Sequence, residues 1–486
     1  MEPRIGIYIA VIAGVWVIRA LTRVYKSPLR RIPGPLYTNF TRLPLKLSII
    51  TGKRIYFIDD LHRSYGQIVR ISPDEVSISS VADFKEIHRV GTPFLKTDWY
   101  SKFVFERRPG IFTMRDPRQH SARRKLFARP FSKSELRRVW EPVVLEKVRL
   151  AVSQIERELN GDGVSDVLKW WTFLATDVTG HLMFGESFDM LQVGRKNEYI
   201  RLLESTMMGS GINIELPWVG FIGRHVPHPA LQTMFQAGDR LLEYGQRAIT
   251  NSRTTSSASR NIFSGMIYEA EKDDATLDDD DVVNEARNLI VAGSDTTAIT
   301  LTYLIWAVLS HPPLQEDLEE EVSGVGDDYD DARLEELPLL NAVIKETLRL
   351  YGAAPGSLPR AVPAGGATLA GHFIPQGVTV STQSYTIHRD EALYANSESF
   401  DPCRWMQKRV SDAGQTAFSP FGAGARTCLG IHLAWMELRL AAAEFFRRCR
   451  GVKLGADAGW DRMRPENYFL IAPVSHSCRI VHGDRA

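Results

Sequence analysis

Phe421-Gly-Ala-Gly-Ala-Arg-Thr-Cys-Leu-Gly430 runs straight into an apolar helical pattern from Ile431 to Phe446. This places Cys428 at a helix N-terminus, where unpaired backbone N–H groups and the positive end of the helix dipole favour a thiolate. A soft anionic sulfur suits iron. Gly422, Gly424 and Gly430 remove side chains on both sides of the cysteine, as a loop must when a large flat ligand lies against its backbone. Arg426, two residues from the sulfur, is within reach of an anionic substituent of that ligand. One alternative is a buried structural cysteine in a glycine-rich turn before a helix. A dinucleotide-binding loop is the other, but Thr427 stands where a third glycine would be needed and no strand-like run leads in.

Outward from this loop, 486 residues would ordinarily make about three domains, yet no clear linker divides the interior, so one large, mostly helical domain is expected. Hydrophobic residues at 44% and charged residues at 24% allow a sizeable core, and a formal net charge of +1 gives no reason to expect a nucleic-acid partner. The four cysteines, Cys403, Cys428, Cys449 and Cys478, contain no C-x-x-C pair and do not make a disulfide framework, which points to a reducing compartment.

The run from Ile5 to Ile18 is unbroken apolar and glycine sequence flanked by Arg4 and then by Arg19, Arg23, Lys26, Arg30 and Arg31. With Ala20 and Leu21 it approaches the roughly 20 residues of a spanning helix if Arg19 snorkels. No small-x-small cleavage site follows, and an all-round apolar run argues against an interfacial amphipathic helix. The expected organisation is a membrane anchor over 1–24, a basic, proline-rich hinge over 25–35 built on Arg31-Ile-Pro-Gly-Pro35, and a body over 36–486. The denser charge on the C-terminal flank places that body in the cytosol, where the Asn39-Phe-Thr41 sequon stays unused.

Within the body, Ile68 to Ile71 and Val76 to Ile78 alternate as short strands around a Ser72-Pro-Asp turn. His120 and Arg124 lie four apart on one helix face, beside Arg123, Lys125 and Arg129, which read as a solvated basic surface. The aspartates ending at Asp281 and the cluster from Asp327 to Asp331 read as solvated loops, the first favouring the start of the next helix. From Val282 to Ser310 the pattern is apolar nearly all round, as in a helix through the middle of a large domain. Its centre, Ala292-Gly-Ser-Asp-Thr-Thr297, places Asp295 and Thr296 where a helix interior does not want them, which points to function; the alternative is a threonine bonded back to its own turn and an aspartate paired with a surface base. Glu346 and Arg349 are one turn apart on the next helix and can pair. His388 has no partner at ligand spacing and reads as a core or loop histidine.

Phe421, Gly424, Arg426, Cys428 and Gly430 match every fixed position of Phe-x-x-Gly-x-Arg-x-Cys-x-Gly, the haem loop of the cytochrome P450 family, which this chain resembles over nearly its whole length. The resemblance implies a mainly α fold with small β-sheets (α+β), the P450 fold preceded by an N-terminal transmembrane helix. It implies haem b with Cys428 as axial cysteinate and iron ligand. Arg124, His120 (where tryptophan is commoner), Arg360 and Arg426 would meet its propionates, with Phe421 and Gly424 in the same loop. Ala292 to Thr296 resembles the distal-helix motif, giving Asp295 a proton-relay role and Thr296 a hydroxyl that opens the helix for dioxygen. Glu346 and Arg349 resemble the Glu-x-x-Arg pair completed by a later arginine, here Arg404 of Phe400-Asp-Pro-Cys-Arg-Trp405, in a structural role.

By the same resemblance the protein would be a monooxygenase of the endoplasmic reticulum membrane, single-pass, using O2 as co-substrate and electrons from NADPH through a cytochrome P450 reductase. Pro355-Gly-Ser-Leu-Pro-Arg360 and Ser381 to Arg389 look like fungal P450s of secondary metabolism, acting on terpenoid, polyketide or benzoate-like aromatic scaffolds. The segments Phe94 to Phe112, Thr206 to Trp218, Ala292 to Thr297 and Ala354 to Leu358 are mostly apolar, so an apolar small-molecule substrate of modest size is expected. A haem-thiolate isomerase or dehydratase working without reductase is the alternative enzyme, and a non-catalytic haem-binding membrane protein the alternative of another class.

Overall fold

The computed structural model describes residues 24–103, 108–197, 217–228, 261–264, 266 and 278–483, with positions 8, 14, 15, 18, 19, 21 and 22 before them. The expected anchor and the pocket segment Thr206 to Trp218 therefore lie largely outside the described residues.

Ten helices position the site: α1 (Leu43–Ile50), α2 (Arg54–Tyr65), α3 (Val81–His88), α4 (Pro117–Ala128), α5 (Glu141–Asp162), α6 (Val167–Phe184), α7 (Asp279–Leu309), α8 (Pro312–Ser323), α9 (Pro338–Tyr351) and α10 (Ile431–Arg448). Their ends follow local chemistry. Asp278 caps α7 by accepting from the Asp281 N–H at 2.9 Å, Pro338 occupies the first turn of α9, and Gly163 and Gly185, at φ of 73° and 76°, end α5 and α6. The aspartates before α7 thus start the helix, as expected. The other acidic cluster departs from expectation: Asp327 is exposed, but Asp331 is 2% exposed and paired with Arg137 at 2.6 Å and Arg439 at 3.0 Å. A loop carboxylate can be buried only when cations from other elements meet it, and those lie far away in sequence.

The core is helical. α7 packs along α6 and against α9 and α10, while α5 packs on α6 and α10. Trp171 of α6 and Phe445 of α10 meet edge to face at 6.0 Å, both fully buried. α6 and α7 approach so closely that a Cβ on Gly293 would stand 2.7 Å from Thr179 Oγ1. By length and composition α7 would suit a membrane, but most of it is buried in this bundle.

The sheets are small. A five-stranded sheet has the order β1 (Ile68–Ser72), β2 (Glu75–Ile78), β8 (Thr379–Thr382), β5 (Arg360–Ala361) and β3 (Leu95–Lys96). β1 and β2 pair antiparallel around the expected turn. β4 (Val164–Asp166), β12 (Arg479–Val481) and β9 (Lys453–Leu454) form a second sheet, and β6 (Ala367–Leu369) with β7 (His372–Ile374) and β10 (Pro465–Asn467) with β11 (Ile471–Pro473) are hairpins. The proline-rich segment is docked on the body. Leu29 and Ile32 are buried among the sheet's apolar residues, the Pro33 carbonyl accepts from Arg70 N–H at 2.7 Å, and a Cβ on Gly34 would lie 2.7 Å from the Arg70 carbonyl.

Candidate active site

The loop ahead of α10 is held by its own backbone: Cys428 N–H donates to the Phe421 carbonyl at 2.8 Å and Thr427 Oγ1 donates to Gly424 O at 2.8 Å. Gly422 and Gly424 take φ of 73° and 61°. The reason for Gly424 differs from the one read in the sequence. A Cβ there would stand 1.8 Å from the His88 carbonyl, so the residue is required by the seat of the loop on the end of α3. A Cβ on Gly430, by contrast, meets nothing within 4 Å.

Cys428 has exposed surface although the fold encloses it closely. Both hold when the sulfur sits on the floor of an interior hollow, open on one side. Ala292, mid-way along the otherwise buried α7, is likewise exposed. Burial pushes the Cys428 thiol up, outweighing the Gly430 N–H and the Arg124 charge, which pull it down. The helix-end effect expected to favour a thiolate is therefore present but does not dominate.

Cations gather beside this hollow. Arg124 Nη1 donates to the Thr427 carbonyl at 2.8 Å, and Arg426 donates to the Met114 and Arg115 carbonyls at 2.8 and 3.2 Å. Arg360 is 4% exposed and its Nε has no protein partner. Burial lowers the pKa of Arg426 to about 10, helped by Arg360 and Arg124 and opposed by Tyr100 and Asp116. His120 is buried, and its pKa falls to about 3 through burial first and then through Arg426, Lys96, Arg124 and Arg360. Four cations, Lys96, Arg124, Arg360 and Arg426, thus gather around a neutral His120, the arrangement that a dianion would relieve. Lys96, absent from the sequence reading, belongs to this set, with Nζ 4.3 and 4.7 Å from the Tyr100 and Phe112 ring centres. Its sequence signal was a lysine directly after the apolar pair Phe94-Leu95. The Tyr100 hydroxyl and His88 Nδ1 are also buried without protein partners.

α7 is continuous through Ala292 to Thr297, and Thr296 Oγ1 donates to the Ala292 carbonyl at 2.7 Å. The hydroxyl is thus bonded back to its own turn with no break in the helix. Asp295 is half-buried beside it. Arg123 corrects the solvated-surface reading: it is mostly buried and pairs with Asp281 at 3.0 Å and Glu285 at 2.8 Å, while Glu285 also accepts from Ile111 N–H at 2.9 Å. These bonds tie α4 and the 108–113 segment to the start of α7.

Glu346, Arg349 and Arg404 come together in full burial. Arg349 grips the Glu346 carboxylate at 2.8 and 2.9 Å, Arg404 Nε donates to it at 3.0 Å and Trp405 Nε1 at 2.9 Å. The two guanidiniums also bind the carbonyls of His388, Ala395, Asn396, Ser397 and Ser399. His388 is a core histidine, as expected.

The sequence profile described as Cytochrome P450 matches residues 33–477. The chain belongs to the cytochrome P450 family. It is similar to three P450 monooxygenases: tazI of Aspergillus terreus, 40% identical over 97% of this chain and 97% of the relative; cypX of Dothistroma septosporum, 39% over 96% and 93%; and aflV of Aspergillus parasiticus, 38% over 96% and 95%.

As a P450 this protein is a monooxygenase, an oxidoreductase whose haem-thiolate centre uses dioxygen and an external electron donor. The residues present fit such a group: one cysteine open to an interior hollow, an unpartnered buried guanidinium nitrogen and an excess of cations on one side.

Proposed function

We propose that this P450 inserts one oxygen atom from O2 into an apolar small-molecule substrate, by hydroxylation or epoxidation, in a fungal secondary-metabolite pathway. The observation that carries the reading is the pairing of Cys428, open to the hollow, with the cluster of cations Lys96, Arg124, Arg360 and Arg426 beside it. Cys428 would bind the iron through sulfur. Arg124, Arg360 and Arg426 would hold haem carboxylates, with neutral His120 adding one ring N–H and Phe421 and Gly424 shaping the loop beneath. A haem bound there supplies dioxygen activation at the iron.

The chain's own residues supply the rest. Thr296 Oγ1, whose proton rests on Ala292 O, would turn that proton to an incoming acceptor, and Asp295, one residue earlier, would replenish it. The apolar lining of α7 and the 353–358 turn keeps bulk water from the reacting site. Glu346, Arg349 and Arg404 hold the loop side of the fold. Electrons would come from NADPH through a membrane reductase, and residues 1–24 would anchor the chain in the endoplasmic reticulum with the 36–486 body in the cytosol.

The reduced carbon monoxide difference spectrum of membranes carrying the chain tests this. A Soret band shifted strongly to the red is expected, followed by substrate-dependent NADPH consumption with reductase; a band typical of histidine-ligated haem would refute the assignment of Cys428. Product formed without NADPH would identify the isomerase or dehydratase reading.

A further inference from the structure

On the side of α7 away from the hollow lies a polar seam that none of the roles above uses. Thr176 and Thr179 of α6, Ser294 and Thr297 of α7 and Glu437 of α10 are all at most 4% exposed. Thr176 Oγ1, Thr179 Oγ1, Ser294 Oγ and Glu437 Oε1 have no protein partner. Gly293 lets Thr179 lie against α7 one turn before Thr297, and Thr297 Oγ1 donates to Glu437 Oε2 at 3.1 Å, so α6 and α10 present polar groups to successive turns of α7. Buried hydroxyls are rarely left unsatisfied, and a polar seam with several such atoms is where a protein encloses water.

Glu437 is the only acid of this seam among the described residues, and no cation meets it there. Arg439 and Glu444 on its own helix engage Asp331, Asn341 and Tyr329. Glu346 and Arg349 on α9 hold each other, and Asp295 is about 200° around α7 from Thr297. Two hydrogen-bonding oxygens with one donor between them do not compensate a buried carboxylate, whereas a neutral acid needs only an acceptor for its O–H.

We propose that Glu437 is held as a neutral carboxylic acid and is a positioning residue: its carbonyl oxygen accepts from Thr297, its O–H donates to enclosed water, and through them it fixes the α7 turn that carries Thr296. The proposal rests on the P450 reading for its effect on turnover, but not for the state of the acid. Burial raises the Glu437 pKa to about 8, with the Thr297 bond opposing, which agrees with a neutral acid at pH 7.

Infrared difference spectroscopy of purified holoenzyme, wild type minus Glu437→Gln, reads that state directly. A protonated-carboxyl band at pH 7 that shifts promptly in D2O and moves in Thr297→Val is expected. In turnover, Glu437→Gln, which keeps an acceptor and a donor, should retain coupling of NADPH to product, and Glu437→Leu should divert several times more reducing equivalents to peroxide at unchanged haem content. Absence of the band, a band unmoved in Thr297→Val, or wild-type coupling in Glu437→Leu overturns the proposal; if the leucine variant does not fold, the two spectroscopic arms decide. A protein with the band but no NADPH-coupled turnover would refute the monooxygenase reading and leave the neutral acid standing.

Discussion

His388 Nε2 accepts the Ser419 N–H at 3.0 Å, while Nδ1 lies 3.1 Å from the Arg349 carbonyl. Because a backbone N–H can only donate, Nε2 is the acceptor and Nδ1 carries the proton. One neutral ring therefore joins the helix of the buried ion triad to the residues that lead into the Cys428 loop, and Phe418 stacks on it at 5.6 Å.

Replacing His388 with alanine leaves the Ser419 N–H unpaired and opens a cavity. A loss of about 2–4 kcal/mol is expected in urea unfolding, with faster haem loss from the folded protein. Wild-type haem retention in His388→Ala would show that the loop does not depend on this bridge.

Removing the Glu346 carboxylate strands two buried guanidiniums. Glu346→Ala should cost about 3–5 kcal/mol and sharply lower holoprotein yield, while Glu346→Gln, which keeps hydrogen-bond acceptors, should lose less. A haem-replete Glu346→Ala protein of normal stability would contradict this.

Arg360→Met separates binding from stability. The arginine is repelled by its neighbours, and its buried Nε lacks a protein partner. The apoprotein should therefore be as stable as wild type or more so, while haem affinity falls by about tenfold, the equivalent of one charge-assisted hydrogen bond. Thermal unfolding of apoprotein and haem titration read the two effects separately, and a destabilised apoprotein with intact affinity would reverse the assignment.

Three buried histidines set an acid limit. His88, His120 and His388 each fall to about 3, with burial as the first cause. Each folded pKa lies below the unfolded value near 6.5. Their contribution is thus complete above pH 6.5 and is lost as pH falls toward 3, with a slope of up to about 1.4 kcal/mol per pH unit for each ring. Unfolding free energy against pH should show this loss, and His388→Asn should reduce its slope.

Thr296→Ala removes the hydroxyl that donates to the Ala292 carbonyl without touching the cations or Cys428. Haem content and the carbon monoxide spectrum should be unchanged and peroxide should replace product. A fully coupled variant would contradict the proton-holding role.

Much of this was legible beforehand because it is local. A glycine-rich loop with one cysteine before an apolar helix, an all-round apolar helix with Asp295 and Thr296 at its centre, and a Glu-x-x-Arg turn each occupy a few consecutive residues, where periodicity and spacing report directly. Asp331 and Arg123 were misread as solvated for the complementary reason. A charge's burial depends on partners such as Arg439 and Glu285, 108 and 162 residues away.

The sequence alone determined a large helical body, the cysteine loop and its family, since backbone propensity and motif spacing are properties of neighbours along the chain. Only the tertiary structure decided which charges meet. It brought Lys96 of a strand to Arg124, Arg360 and Arg426. It required Gly424 because of His88 and raised the Cys428 thiol by burial. It also set Glu437 against Thr297, 140 residues apart. Electrostatics and desolvation act through space, and the distances they depend on exist only once the helices have packed.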